Sequence, residues 1–322
     1  PSTFCNLCRG PGTSDGAPQM LRRLLLYLSE RQDLKDRLLE VPALRRVAER
    51  FVAGDELSDA LDAAGRLNDD GLHVTLDHLG ESVESTGQAR RAADDYVRSL
   101  ERIDERPVQS TISLKLTQLG LDVDRELCRE NLQRIVRRAG ELDNFVRVDM
   151  EGSDYTQATL ELFAEVFRGH GNVGAVIQSY LRRSERDVER LVEMGAPVRI
   201  VKGAYDEPPE VAFQDREEVD DNFVRLTRIL LEGGVPTAVA SHDERMIDAA
   251  LDHARELDLS TGGLEFQMLY GVRRDYQRAL ADAGHPVRIY LPYGSDWYPY
   301  LMRRMAEKPA NLRLVVRSMI GG

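Results

Sequence analysis

The pattern of hydrophobic and polar positions changes texture twice along the chain. Residues 1–19 carry no apolar period and are rich in Gly, Pro, Ser and Thr, which predicts a disordered tail. Across residues 20–70 leucines recur at helical spacing, through 24–39, 42–51 and 55–67, and predict an N-terminal helical segment. After Gly71 short β-branched runs alternate with longer amphipathic stretches, and residues 71–322 read as one repeating α/β unit.

Strand-like runs fall at residues 73–79, 109–116, 145–150, 174–180, 197–203, 237–241, 264–269 and 287–291, each followed by a helical stretch. Their centres lie about 30 residues apart, the length of one strand–helix unit. The stretch after the second run puts Cys128, Leu132, Ile135, Val136 and Ala139 on one face. The stretch after the sixth does the same with Ile247, Ala250, Leu251, Ala254 and Leu257. Ser184, ahead of Glu185-Arg186-Asp187, and the residues Ser241 to Asp243 are the expected helix caps there. Eight such units fit an open doubly wound sheet or a closed (β/α)8 barrel. A dinucleotide-binding doubly wound sheet would carry G-x-G-x-x-G directly after an early strand. None of the early runs is followed by one, and the count of eight favours the barrel.

Charge narrows the function. Lys and Arg number 43 against 55 Asp and Glu, a formal charge of −12, which argues against a nucleic-acid partner. It leaves room for a small anion held by a few local cations. The apolar runs fall short of the ~20 residues that span a bilayer. No secretory or transit pattern precedes the first helical stretch. Three cysteines give no disulfide framework, so a reducing cytoplasm is the expected setting. Cys5-x-x-Cys8 lacks the further ligands a tetrahedral zinc site needs, and no metal is expected.

Strand parity carries the chemistry. In a barrel strand alternate residues face the lumen, and active sites lie at the carboxyl ends. Ser113 and Lys115 share one side of their run, as do Arg147 and Asp149, while Arg199 stands between apolar neighbours. Gln178, His242, Gln267 and Tyr290 fall at or just past strand ends. Polar groups from seven strands therefore gather at one mouth. Gly203, after the fifth run, allows close backbone approach, and Lys202 beside it suits a phosphate as a point charge. On the last helix Leu301, Met302 and Met305 form the packing stripe, and Arg303 and Arg304 flank it, suited to clamping a carboxylate.

Five ordered strings carry a resemblance. Ser113-Leu114-Lys115-Leu116-Thr117, Arg147-Val148-Asp149-Met150-Glu151, Arg199-Ile200-Val201-Lys202-Gly203-Ala204-Tyr205, Phe266-Gln267-Met268-Leu269-Tyr270-Gly271, and Tyr290-Leu291-Pro292-Tyr293-Gly294 with Arg303-Arg304-Met305-Ala306-Glu307 resemble proline dehydrogenase of the monofunctional bacterial type. The resemblance runs from about Met20 to the C-terminus. It implies a distorted (β/α)8 barrel preceded by N-terminal helices, with FAD at the strand ends. It implies oxidation of L-proline to 1-pyrroline-5-carboxylate by hydride transfer to the flavin, the first step of proline catabolism. A membrane quinone would accept the electrons, with peripheral contact at the inner membrane face, and pyrroline-5-carboxylate dehydrogenase would act downstream.

Carried onto this chain, Arg303, Arg304 and Lys115 would bind the proline carboxylate, and Tyr290 would pack by the ring. Asp149 would pair with Lys115, and Arg199 would lie near flavin N5, with Gln178 and Met150 against the ring system. Lys202, Gly203 and Ala204 would serve the phosphate and ribityl region, with Ser241, His242, Gln267 and Glu307 completing the cofactor contacts. Glu81 would pair with the first arginine and gate the site. One departure touches the cofactor: the family shows Thr-His-Asn where this chain has Ser241-His242-Asp243, and a carboxylate replaces a neutral amide. The residues by themselves also fit a Schiff-base lyase using Lys115 or Lys202, or a silent barrel that only binds its ligand.

Overall fold

The computed structural model describes residues 48–80, 83–259 and 263–307, with side chains to Met302. The tail 1–19, the helical segment as far as residue 47, Glu81 and the side chains of Arg303, Arg304 and Glu307 lie outside the described residues. The chain divides into two compact units, residues 45–297 and residues 1–44 with 298–322.

The elements run α1 (Leu57–Asp69), β1 (His73–His78), α2 (Thr86–Asp104), β2 (Ser110–Leu114), α3 (Arg125–Glu141), β3 (Val146–Val148), α4 (Ser153–Phe167) and β4 (Val173–Gln178). They continue with α5 (Ser184–Glu193), β5 (Val198–Val201), α6 (Arg216–Glu232), β6 (Thr237–Ala240), α7 (Glu244–Glu256), β7 (Leu264–Leu269), α8 (Arg274–Asp282), β8 (Val287–Tyr293) and α9 (Trp297–Glu307). All eight predicted strands form. They close a barrel in the order β1 to β8, every pair parallel, and β8 returns to β1 with Thr75 opposite Tyr290 and Leu76 opposite Leu291. The fold is a (β/α)8 barrel.

Parallel strands buried on both faces usually read as unbroken apolar runs. These alternate. Outward residues such as Leu76, Ile112, Val148, Ile200, Phe266 and Ile289 are fully buried in the apolar core beneath the helices. Inward residues include Thr75, Asp77, Ser113, Arg147, Arg199 and Gln267, also buried. Charge in a closed lumen must be paired there, because unpaired it would cost several kcal/mol per ion, by an order-of-magnitude reckoning of about 3–5.

Side-chain caps fix where the helices start. Ser85 accepts the Gln88 N–H at α2, Asp124 those of Glu126 and Leu127 at α3, Asp215 that of Glu217 at α6, and Asp243 that of Arg245 at α7. The expectation at Ser184 is corrected: Arg183 holds the cap position of α5, and the Ser184 hydroxyl donates instead to the Gln178 carbonyl at 2.6 Å. On α3 the predicted face is fully buried. On α7 the inner face is Met246, Ile247 and Ala250, while Leu257 is exposed because it ends the helix as its C-cap. One G-x-G-x-x-G string does occur, at Gly169, Gly171 and Gly174. It leads from a helix into β4, the reverse of the strand-to-helix phosphate loop. Gly174 has a different use, since a Cβ there would lie 2.3 Å from Arg147 Nη1.

The outer wall over the β1–β8 seam is α1, which packs on both strands. The chain leading into it is tied to the carboxyl end of β8, with Ala53 N–H donating to the Pro292 carbonyl and Gly294 N–H to the Gly54 carbonyl, both at 2.9 Å.

Candidate active site

The carboxyl ends of β1, β2, β3, β5 and β8 converge on one charged network. Arg199 reaches across the lumen, its Nη1 2.6 Å from Asp149 Oδ1 and its Nη2 3.1 Å from Ser113 Oγ. The Tyr290 hydroxyl donates to the other oxygen of Asp149 at 2.8 Å, and the Arg199 guanidinium lies 5.4 Å from the Tyr290 ring centre. Asp149 thus satisfies two partners from opposite walls. Burial and the Asp149 charge push the Tyr290 phenol well above its ordinary range, so it remains a donor.

Lys115 has a different partner from the one expected. Its ammonium meets Asp77, at 3.0 and 3.3 Å from the two carboxylate oxygens, and the Lys115–Asp149 pair is not formed. The reason is competition: both acids lie on or at the end of strands beside β2, but Asp149 is taken by Arg199 and Tyr290. Burial works to lower the Lys115 pKa, but Asp77 and Asp149 outweigh it and push it up to about 12. A lysine held charged in this way is suited to meeting an anion. It does not fit the Schiff-base alternative, which needs a neutral amine.

The charge also runs deeper than the predicted ring at one mouth. Toward the amino end of the barrel Arg288 Nε donates to both oxygens of Glu265 at 2.9 and 3.0 Å, and Arg147 donates to the carbonyls of Ala175 and Pro197. Burial together with Arg199 and Arg288 pushes Arg147 down to about 9. Burial works to raise Glu265, and Arg288 holds it below its ordinary value.

A second group of predicted residues sits at β4 to β7. Gln178 Oε1, Arg199 Nε and Gln267 Oε1 are buried polar atoms with no hydrogen-bond partner, while Gln267 Nε2 donates to Glu265 at 2.6 Å. Ser241 Oγ accepts the Asp243 N–H at 3.1 Å. His242 Nε2 accepts the Leu269 N–H at 2.9 Å, so that nitrogen carries no proton. Met150 is buried in the core, and Ala204 is half-buried. Lys202 stands between Asp220 Oδ1 at 2.5 Å and Asp243 Oδ2 at 2.9 Å.

The loop after β5 is fastened at Glu207, whose carboxylate accepts the Ser153 N–H at 2.7 Å and the Ser153 hydroxyl. It thereby serves the start of α4, where the N-cap Gly152 has no side chain to offer. Gly203 opens this loop at φ +114°, with the Tyr180 ring against it, and a Cβ would fall 2.3 Å from Tyr180 Cδ1. Gly203→Ala is expected to cost about 1–3 kcal/mol of stability, read as a lowered melting temperature. An unchanged melt would mean the loop gives way there freely.

Sequence reasoning missed Asp77, Asp220 and Glu265. Asp77 shares strand parity with Thr75, the signal that found Lys115, and applying it to the first run would have found the pair. Among the described residues no cluster suits a metal ion, and no helix is long and apolar enough to cross a membrane. Cys128 is buried, and burial pushes its thiol up to about 12, which leaves it unreactive.

Cations and carboxylates paired across the carboxyl end of a closed parallel barrel define a barrel enzyme acting on a small polar substrate. The chain belongs to the proline dehydrogenase family, whose model matches residues 60–317. It is accordingly an oxidoreductase acting on the CH–NH group of proline. It is similar to Proline dehydrogenase 1 of Bacillus subtilis, 38% identical over 301 residues, which are 94% of this chain and 99% of the relative. It is also similar to Proline dehydrogenase of Deinococcus radiodurans, 39% identical over 309 residues with the same coverage of 94% and 99%. Among solved structures, proline utilization A (PutA) from Bdellovibrio bacteriovorus inactivated by N-propargylglycine matches with a TM-score of 0.78 and 27% identity. That match covers 89% of this chain and 36% of the other, so the chain spans about a third of that protein's length.

Proposed function

We propose that this protein oxidises L-proline to 1-pyrroline-5-carboxylate with FAD as its cofactor and passes the electrons to a quinone. The observation that carries the reading is the lumen network, in which Lys115 is kept charged while Asp149 holds Arg199 and Tyr290 in fixed positions. The fit to FAD rests on the buried, partnerless Gln178 Oε1, Arg199 Nε and Gln267 Oε1 on β4, β5 and β7. These atoms suit the polar edge of a flavin, since burial without a partner costs about 1–3 kcal/mol each by mutational measure.

Lys115, with Arg303 and Arg304, binds the substrate carboxylate, and Tyr290 packs by the ring. Fixing a small rigid substrate at one end aligns the other, an effect of positioning. Breaking the C5–H bond sends its electron pair away while the nitrogen lone pair closes the C5=N bond and the amine proton departs. Bound FAD supplies the acceptor of that electron pair. Arg199 places positive charge where electron density arrives, and Asp149 keeps it there. Gln178, Met150, Lys202, Gly203, Ala204, Ser241, His242, Gln267 and Glu307 are the residues that would hold the cofactor, and Glu81 would gate the entrance. A pyrroline-5-carboxylate dehydrogenase would consume the product, and a quinone acceptor implies contact at a membrane surface.

The test is a visible spectrum of the purified protein before and after L-proline. A yellow flavin spectrum that bleaches with proline supports the reading. A protein that stays colourless and inactive after FAD is supplied overturns it.

A further inference from the structure

We propose that Asp243 acts as a brake on cofactor binding, occupying the Lys202 ammonium and meeting the incoming diphosphate with a like charge. This rests on the reading of Lys202 as a residue of the FAD phosphate region.

The two carboxylates on Lys202 are not equivalent. Asp220, on α6, is 5% exposed and lies 2.5 Å from Nζ, built into the wall. Asp243, at the start of α7, is 28% exposed and lies 2.9 Å away on the open side. Asp220 alone neutralises Lys202. With Asp243 added the trio carries a net negative charge, and it is Asp243, not Asp220, that accepts a hydrogen bond from the ammonium. Arg216 and Arg245 border the group. Arg216 Nη2 is 3.4 Å from Asp243 and Arg245 Nη2 is 3.8 Å from Asp220, but these side chains are 83% and 53% exposed, so solvent screens them.

Asp243 also has a structural duty, since its Oδ1 accepts the Arg245 N–H and caps α7. That duty needs an oxygen and not a charge, for Asn and Ser cap helices as well as Asp does. The charge is surplus to the cap. Burial works to raise the Asp243 carboxyl, yet Lys202 keeps it below its ordinary range, so the charge is present at neutral pH. A diphosphate approaching Lys202 must therefore displace or face it.

The experiment titrates FAD and riboflavin into the full-length protein stripped of flavin, following flavin fluorescence, for the wild type, Asp243→Asn and Asp243→Ser. Both variants keep α7 capped, so either one decides the question. The expected result is FAD binding about tenfold tighter in the variants, the size of a difference of 1.4 kcal/mol. Riboflavin, which has no phosphate, is expected to bind them as it binds the wild type. Unchanged or weaker FAD binding overturns the brake, as does riboflavin tightening to the same degree. If the wild type takes up neither flavin, the cofactor reading itself falls and the brake with it, an outcome distinct from the others.

Discussion

Asp149→Ala is expected to lower the melting temperature by roughly 10 °C and kcat by about 100-fold. The mutation leaves the Arg199 guanidinium, 4% exposed, without its counter-charge, and leaves the Tyr290 hydroxyl without its acceptor. Breaking a buried pair from one side costs about 3–5 kcal/mol, because the remaining charge stays desolvated and alone. In a barrel of this size each kcal/mol is worth about 2–4 °C. The loss of rate has a separate origin, since a reacting arrangement misplaced by about 1 Å can lose two orders of magnitude. Asp149→Asn keeps an acceptor for Tyr290 and should recover part of the melting temperature but little of the rate. Thermal denaturation and steady-state kinetics with proline read the two effects apart. A variant that melts with the wild type would mean that Arg199 has another anion to turn to.

The second large effect is expected at Asp77. Asp77→Asn removes the carboxylate that does most to keep Lys115 charged, leaving burial to lower its pKa against only Asp149 and Tyr205. The direction with pH follows from the wild type, where the folded pKa of about 12 lies above the ordinary 10.5. Its stabilising contribution is complete below 10.5 and is lost as pH rises through about 12. KM for proline, if Lys115 binds the carboxylate, should thus stay flat with respect to this group up to about 10.5. In Asp77→Asn the same rise should start at lower pH, with KM increased roughly tenfold or more once the ammonium is lost. A KM profile superimposable on that of the wild type would show that Asp77 does not set the state of Lys115.

Much of this fold is legible along the chain because strands covered by helices on the outside and charged on the inside alternate with period two. Arg199 between Val198 and Ile200, and Lys115 between Leu114 and Leu116, announce their own orientation. Partner choice is another matter. Lys115 and Asp149 share the lumen, but which acid a base meets depends on strand register, side-chain length and competing donors. Register sets Asp77 beside Ser113, two residues before Lys115, and Arg199 reaches Asp149 from across the barrel. Nothing in the local pattern of either strand encodes that distance. The same holds for Asp220, a buried acid on a helix otherwise rich in charge, which only the packing of α6 sets against Lys202. Strand ends are blurred as well: β3 stops at Val148, yet the Asp149 N–H still donates to the Leu114 carbonyl of β2 at 2.8 Å. At Asp243 the carboxylate is plain in the sequence, and its pairing with Lys202 is plain only in the structure.

The helix that covers the junction of the first and last strands is made before either of them. During synthesis α1 leaves the ribosome with its apolar face unsatisfied, and one of the two strands it covers appears more than two hundred residues later. Closure of the cylinder is thus the longest-range event in the folding of this unit, and loop-closure entropy makes such events slow. Until it happens, β1 and β7 each present an unpaired edge, the kind of surface on which nascent chains associate with one another.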